Sequence, residues 1–98
     1  LLNIDLTWNE PTEGIFFFFY LIRVSNTGFD FIPVPVDGIP VENGPDDRIV
    51  LYGTSGYTFK NAVPGYTYYF KIYPYKGEGD IINYKTDGNI QQVTIQIN

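Results

Sequence analysis

The sequence predicts an all-β fold, a sandwich of two antiparallel sheets, and three observations carry that prediction. Short runs alternate apolar and polar residues and are separated by turn dipeptides, the pattern of half-buried strands. No segment repeats its apolar residues at helical spacing. The stretch Val63–Tyr75 opens with Pro64-Gly65, which reverses the chain, and then places Tyr68, Phe70 and Ile72 on one face of a strand. A tyrosine entering a strand just after such a corner is a sandwich feature, its hydroxyl reaching back to the backbone.

The elements follow in order. Leu2–Trp8 is the first strand, with Leu2, Ile4, Leu6 and Trp8 on one face and Asn3, Asp5 and Thr7 on the other. Residues 9–14 contain Pro11 and Gly14 and read as a loop. Ile15–Ser25 is the second and most apolar strand. Its end sets the parity: Phe18, Tyr20, Ile22 and Val24 face inward, and Phe17, Phe19, Leu21 and Arg23 face the other way. Both faces are apolar before Arg23, so this strand should be central or covered on both sides.

Residues 26–44 are broken by three prolines and three glycines, with Asp37-Gly38 and Asn43-Gly44 as strong turn pairs. Arg48–Tyr52 and Tyr57–Lys60 are short strands around a turn at Gly53–Gly56. Within Val63–Tyr75, Pro74 lacks a ladder donor, so pairing is expected to end or bulge there. Lys76–Asp80 is a charged loop, Asp87-Gly88-Asn89 is a turn, and Ile90–Ile97 is the last strand. About six strands in one domain, residues 1–98, result.

Composition narrows the function. With 98 residues, 44% hydrophobic and 18% aromatic, the chain can bury one modest core and is not disordered. The net charge is −5 and no two basic residues are adjacent, which disfavours nucleic acid and anionic membrane surfaces. The longest apolar run, Ile15–Ile22, is far shorter than the ~20 residues of a membrane-spanning helix. Cysteine is absent, so neither a disulfide nor a thiolate metal site can form. Histidine is absent too, which removes the commonest acid–base group and metal ligand. Ser25 and Ser55 have no histidine to activate them, Asp46 and Asp47 diverge in extended chain, and Glu78 and Asp80, which could converge, sit in a loop beside Gly77 and Gly79 where acids serve solubility. Asp37, Asp46, Asp47 and Glu78 could offer oxygen ligands, yet no calcium-loop spacing is present. We expect no enzyme activity, no cofactor and no metal. Methionine is absent and the chain starts at Leu1, so a processed chain or a piece of a larger multidomain protein is expected.

Several motifs resemble the fibronectin type III domain, an immunoglobulin-like sandwich. Leu6-Thr7-Trp8 followed by Pro11 resembles its strand B with the core tryptophan, and Tyr20-Leu21-Ile22-Arg23-Val24 resembles strand C. Pro64-Gly65-Tyr66-Thr67-Tyr68 is similar to the family's Pro-Gly-Thr-x-Tyr corner, and Phe70-Lys71-Ile72 to the core of strand F. The version in large bacterial secreted and surface proteins carries four further segments in the order found here: Pro35-Val36-Asp37-Gly38, Val50-Leu51-Tyr52-Gly53, Tyr68-Tyr69-Phe70-Lys71 and Asn83-Tyr84-Lys85-Thr86. Tyr66 and Pro74 depart from the family pattern, and a counterpart of the first strand, A, is missing. The resemblance implies an extracellular, cell-surface or periplasmic location. It also implies a role as spacer or protein-interaction module, with neighbouring domains or another protein as partners.

The candidate interaction surface follows from parity. In such a sandwich strands C and F are neighbours, so Phe17, Phe19, Leu21, Tyr69 and Tyr73 share the exterior face of one sheet. Exposed, they would form a patch of the size that marks a binding site. Rings stacked on sugars would make the face a carbohydrate-binding surface, the alternative reading. Against both stands cross-strand packing under a neighbouring domain or loop.

Overall fold

In the computed structural model the described residues are 2–8, 19–54, 56–86 and 90–98. They form seven strands: β1 (Leu2–Thr7), β2 (Phe19–Ser25), β3 (Asp47–Leu51), β4 (Gly56–Ala62), β5 (Thr67–Lys76), β6 (Asn83–Tyr84) and β7 (Gln91–Gln96). Single 3-10 turns at Phe29–Phe31 and Gly79–Ile81 are the helical elements among them. The fold is therefore all-β, and its two antiparallel sheets pack together.

The smaller sheet is β1 paired with β4. The larger runs β3-β2-β5, and the far side of β5 is shared by β7 along Thr67–Ile72 and by β6 at Tyr75 and Lys76. The expected first, third and last strands recur within a residue or two. The expected strand Tyr57–Lys60 extends to Ala62, and β6 was not expected. Residues 15–18 of the second strand, the 9–14 loop and the Asp87-Gly88-Asn89 turn lie outside the described residues.

The core between the sheets is the one that strand parity dictates. Trp8, Tyr20, Ile22, Tyr68, Phe70 and Ile72 are all buried in it, with Ile4, Leu6, Ala62 and Ile97. Tyr20 and Phe70 are completely enclosed. Trp8 meets Tyr20 edge to face at 5.3 Å, and the Phe59 ring meets those of Tyr68 and Phe70 at 5.2 and 5.4 Å. Such pairs add about 0.5–1.5 kcal/mol to their burial. The Trp8 indole N–H has no hydrogen-bond partner among the described residues.

Pro74 does not end the ladder with β2. It sits opposite Tyr20 and β5 continues to Lys76. Its carbonyl accepts the N–H of Lys85 at 2.8 Å, so its ring nitrogen also faces away from β2. On that side β7 stops opposite Ile72 and β6 starts opposite Tyr75, leaving Pro74 in the gap between them, where no donor is needed.

Candidate functional site

The exterior face of the larger sheet is built by cross-strand pairs of β2 and β5: Phe19 opposite Tyr75, Leu21 opposite Tyr73, Arg23 opposite Lys71 and Ser25 opposite Tyr69. Strand alternation puts these side chains on the face away from the main core, as expected. Phe17 lies outside the described residues. The face is not a free surface, however. Leu21 is 0% and Tyr73 2% exposed, and with Tyr75, Ile82 and Tyr84 they form a second apolar cluster. Phe19 and Tyr69 are half-buried. Of the two readings left open by parity, an exposed patch or a covered face, the four described residues of the face, Phe19, Leu21, Tyr69 and Tyr73, are those of a covered one.

Two irregular stretches supply the cover. Segment 26–46 crosses the sheet with Ile32 and Pro35 buried and Val41 packed on the second cluster. Phe29 stands edge-on to Tyr69 at 5.1 Å, and the Lys71 ammonium lies 5.9 Å from the Phe29 ring centre. Residues 77–84 fold back beside β5 and deliver Ile82 and Tyr84. That return needs Gly77, whose φ is 83°, because a Cβ there would come within 2.5 Å of the Ile81 carbonyl oxygen.

Polar contacts pin the cover. Arg23 Nε donates to Asp47 Oδ1 at 2.8 Å, and its Nη1 donates to the Pro33 carbonyl at 2.6 Å. The guanidinium therefore ties β2, β3 and the crossing segment together. The Tyr84 N–H donates to Asp37 Oδ1 at 2.8 Å, the Tyr84 hydroxyl donates to the Ile39 carbonyl at 2.9 Å, and the Gly38 N–H donates to the Ile82 carbonyl at 2.8 Å. Burial raises the Tyr73, Tyr75 and Tyr84 hydroxyl pKa values above the usual 10.0. Arg23 partly offsets the rise at Tyr73, and Tyr84 and Glu78 add to it at Tyr75.

The residues weighed for chemistry are dispersed. Asp37 and Asp47 hold the contacts just described. Ser25 Oγ shares a hydrogen bond with the Thr27 hydroxyl at 2.8 Å and accepts the Thr27 N–H, and Ser55 lies outside the described residues. Among the described residues no three acidic side chains cluster as a metal site would require.

The covered face was hidden by the spacing of its parts. Ile82 and Tyr84 alternate with Asn83, and Ile32, Pro35 and Val41 interrupt a turn-rich stretch, so an apolar underside was encoded. Its signal is thin because one piece supplies only two residues and the other only three, spaced without a strand's period. Comparison with protein-family models, curated proteins and solved structures gives no match.

Proposed function

We propose that this chain is a non-catalytic β-sandwich module, related to fibronectin type III domains, that serves as a spacer or protein-interaction unit of a larger secreted or cell-surface protein. The observation that carries the reading is the division of strands. With β1 in the place of B, β2 of C, β4 of E, β5 of F and β7 of G, B pairs with E in one sheet, and C, F and G share the other. That is the division in immunoglobulin-like sandwiches. The corner at Tyr68, whose hydroxyl reaches the backbone five residues upstream, supports it further.

The non-catalytic part rests on side-chain chemistry: no histidine or cysteine in the sequence, and Asp37 and Asp47 engaged in structural hydrogen bonds. A net charge of −5 speaks for protein rather than nucleic-acid partners. Location outside the cytoplasm follows from the resemblance alone. Sugar stacking on the β2–β5 face would need exposed coplanar rings, and Tyr73 lies beneath the crossing segment.

An independent module should unfold as one unit. Calorimetry of the 98-residue chain should give one transition whose calorimetric and van't Hoff enthalpies agree. Two separate transitions, or retardation on a polysaccharide affinity gel abolished by Tyr69→Ala, would overturn the reading.

A further inference from the structure

The main core is closed, but the residues packed against it are only half covered. Of the five half-buried apolar residues around it, Val24, Tyr57 and Phe59 line a gap between β4 and residues 44–48. There is a cleft of about 470 Å³ there, its apolar lining supplied by the half-buried Val24, Tyr57 and Phe59, with Tyr57–Asn61 of β4 along one wall and the enclosed Ile22 and Phe70 behind it. The two walls differ in backbone chemistry. The outer edge of β3 is already occupied: the Gly44 N–H donates to the Asp47 carbonyl, the Ile49 N–H to Asn43 Oδ1, and the Thr54 N–H to the Leu51 carbonyl. The outer edge of β4, opposite β1, receives no backbone partner among the described residues. A strand edge left open beside an apolar floor accepts an extended peptide, which pairs through its main chain and buries alternate side chains.

Charge identifies the kind of peptide. Asp47 at this cleft is neutralised by Arg23. Arg48, whose guanidinium lies 5.9 Å from the Tyr57 ring centre, and Lys60 are exposed cations with no carboxylate partner among the described residues. Among the described residues Asp46 is the single unpaired acid on the rim. The mouth is therefore net positive on a protein of net charge −5.

We propose that this cleft binds an acidic extended segment of a partner polypeptide, added as a strand to the free edge of β4. Its apolar side chains alternate onto Val24, Tyr57 and Phe59, and its carboxylates meet Arg48 and Lys60. The segment matches the five residues of the wall, roughly 16 Å of extended chain. This deepens the interaction-module reading and rests on it, yet it can fail alone: the domain could unfold as one unit and still leave the cleft empty.

The probe is a capped peptide, Glu-Val-Glu-Val-Glu-Val, titrated into isotopically labelled protein and followed by backbone amide shifts. The expected result is saturable shifts at Tyr57–Asn61 and slowed amide exchange there. Affinity should fall at least tenfold for the peptide with Lys in place of Glu, for the peptide N-methylated at alternate residues, and for the folded Arg48→Glu/Lys60→Glu protein. No shift along β4, equal binding of the N-methylated peptide, or equal binding by the double variant would overturn the proposal. So would shifts of the same amides on concentrating the protein alone, which would make a second copy the occupant.

Discussion

The hydroxyl of Tyr68 accepts a hydrogen bond from the backbone N–H of Val63 at 2.9 Å. The bond closes the corner between β4 and β5: Val63 ends the incoming chain, Pro64-Gly65 turn it with Gly65 at φ 92°, and Tyr68 sends its ring into the core. One side chain thus fixes both a buried ring and the angle at which two sheets are joined. Tyr68→Phe keeps the ring and leaves the Val63 N–H without that partner. The expected loss is about 1 kcal/mol, read as a lower denaturation midpoint at unchanged slope.

Asn61 has a φ of 64°, the one positive value among described residues other than glycine. It lies where β4 carries one more residue than β1, between the pairs Leu2–Ala62 and Ile4–Phe59. A bulge of this kind places its extra residue in the left-handed region, which glycine and asparagine tolerate best. Asn61→Ala should destabilise by about 1 kcal/mol, and Asn61→Gly should stay within about 0.5 kcal/mol of the parent. Equal midpoints for Ala and parent would show that the bulge relaxes without cost.

The main core was legible because it needs only parity: Trp8, Tyr20, Ile22, Phe70 and Ile72 are fixed once Arg23 and Lys71 are taken as outward. Parity also put Leu21 and Tyr73 on the opposite face. It could not tell whether that face meets water, since exposure depends on where segment 26–46 travels, and prolines and glycines leave no periodicity to follow. Pro74 was legible only in part, for a related reason: pairing breaks there on the β7/β6 side, while the ladder with β2 runs past it. A missing donor breaks a ladder only if a neighbour stands on that side, and the gap between β7 and β6 is a property of topology. The cleft at β4 was equally out of reach, because an open edge is defined by the strand that does not come.

Alkaline pH should unfold this protein in a predictable direction. Tyr73, Tyr75 and Tyr84 have folded pKa values raised above 10.0, chiefly by burial. The unfolded chain releases these protons first, so its ionisation pulls the equilibrium toward unfolding. Their contribution is fully present below pH 10 and is lost as pH rises from there through the folded values. Denaturation midpoints measured from pH 8 to 11.5 should hold and then fall, and Tyr84→Phe should make the fall shallower than in the parent. An identical slope would show that Tyr84 carries none of the linkage.

The covered face makes the strongest demand. Tyr73 is 2% exposed, pairs across the strands with Leu21, and lies in the cluster that Ile82 and Tyr84 close. Were the face free, Tyr73→Ser would remove only surface area. Beneath a cover it removes a ring from a packed site and leaves a cavity and a new hydroxyl there. The expected cost is about 3–5 kcal/mol, the range for emptying a buried aromatic position. That is a large share of what a domain of this size holds in reserve, so the variant should be partly unfolded at 37 °C. Arg23→Met separates cover from core. It frees the Pro33 carbonyl and Asp47 without emptying the cluster, and should raise amide exchange across residues 30–40 while β1 and β4 keep their protection. A Tyr73→Ser protein as stable as the parent would mean that segment 26–46 rides loosely over the sheet, and the face would again be open to a ligand.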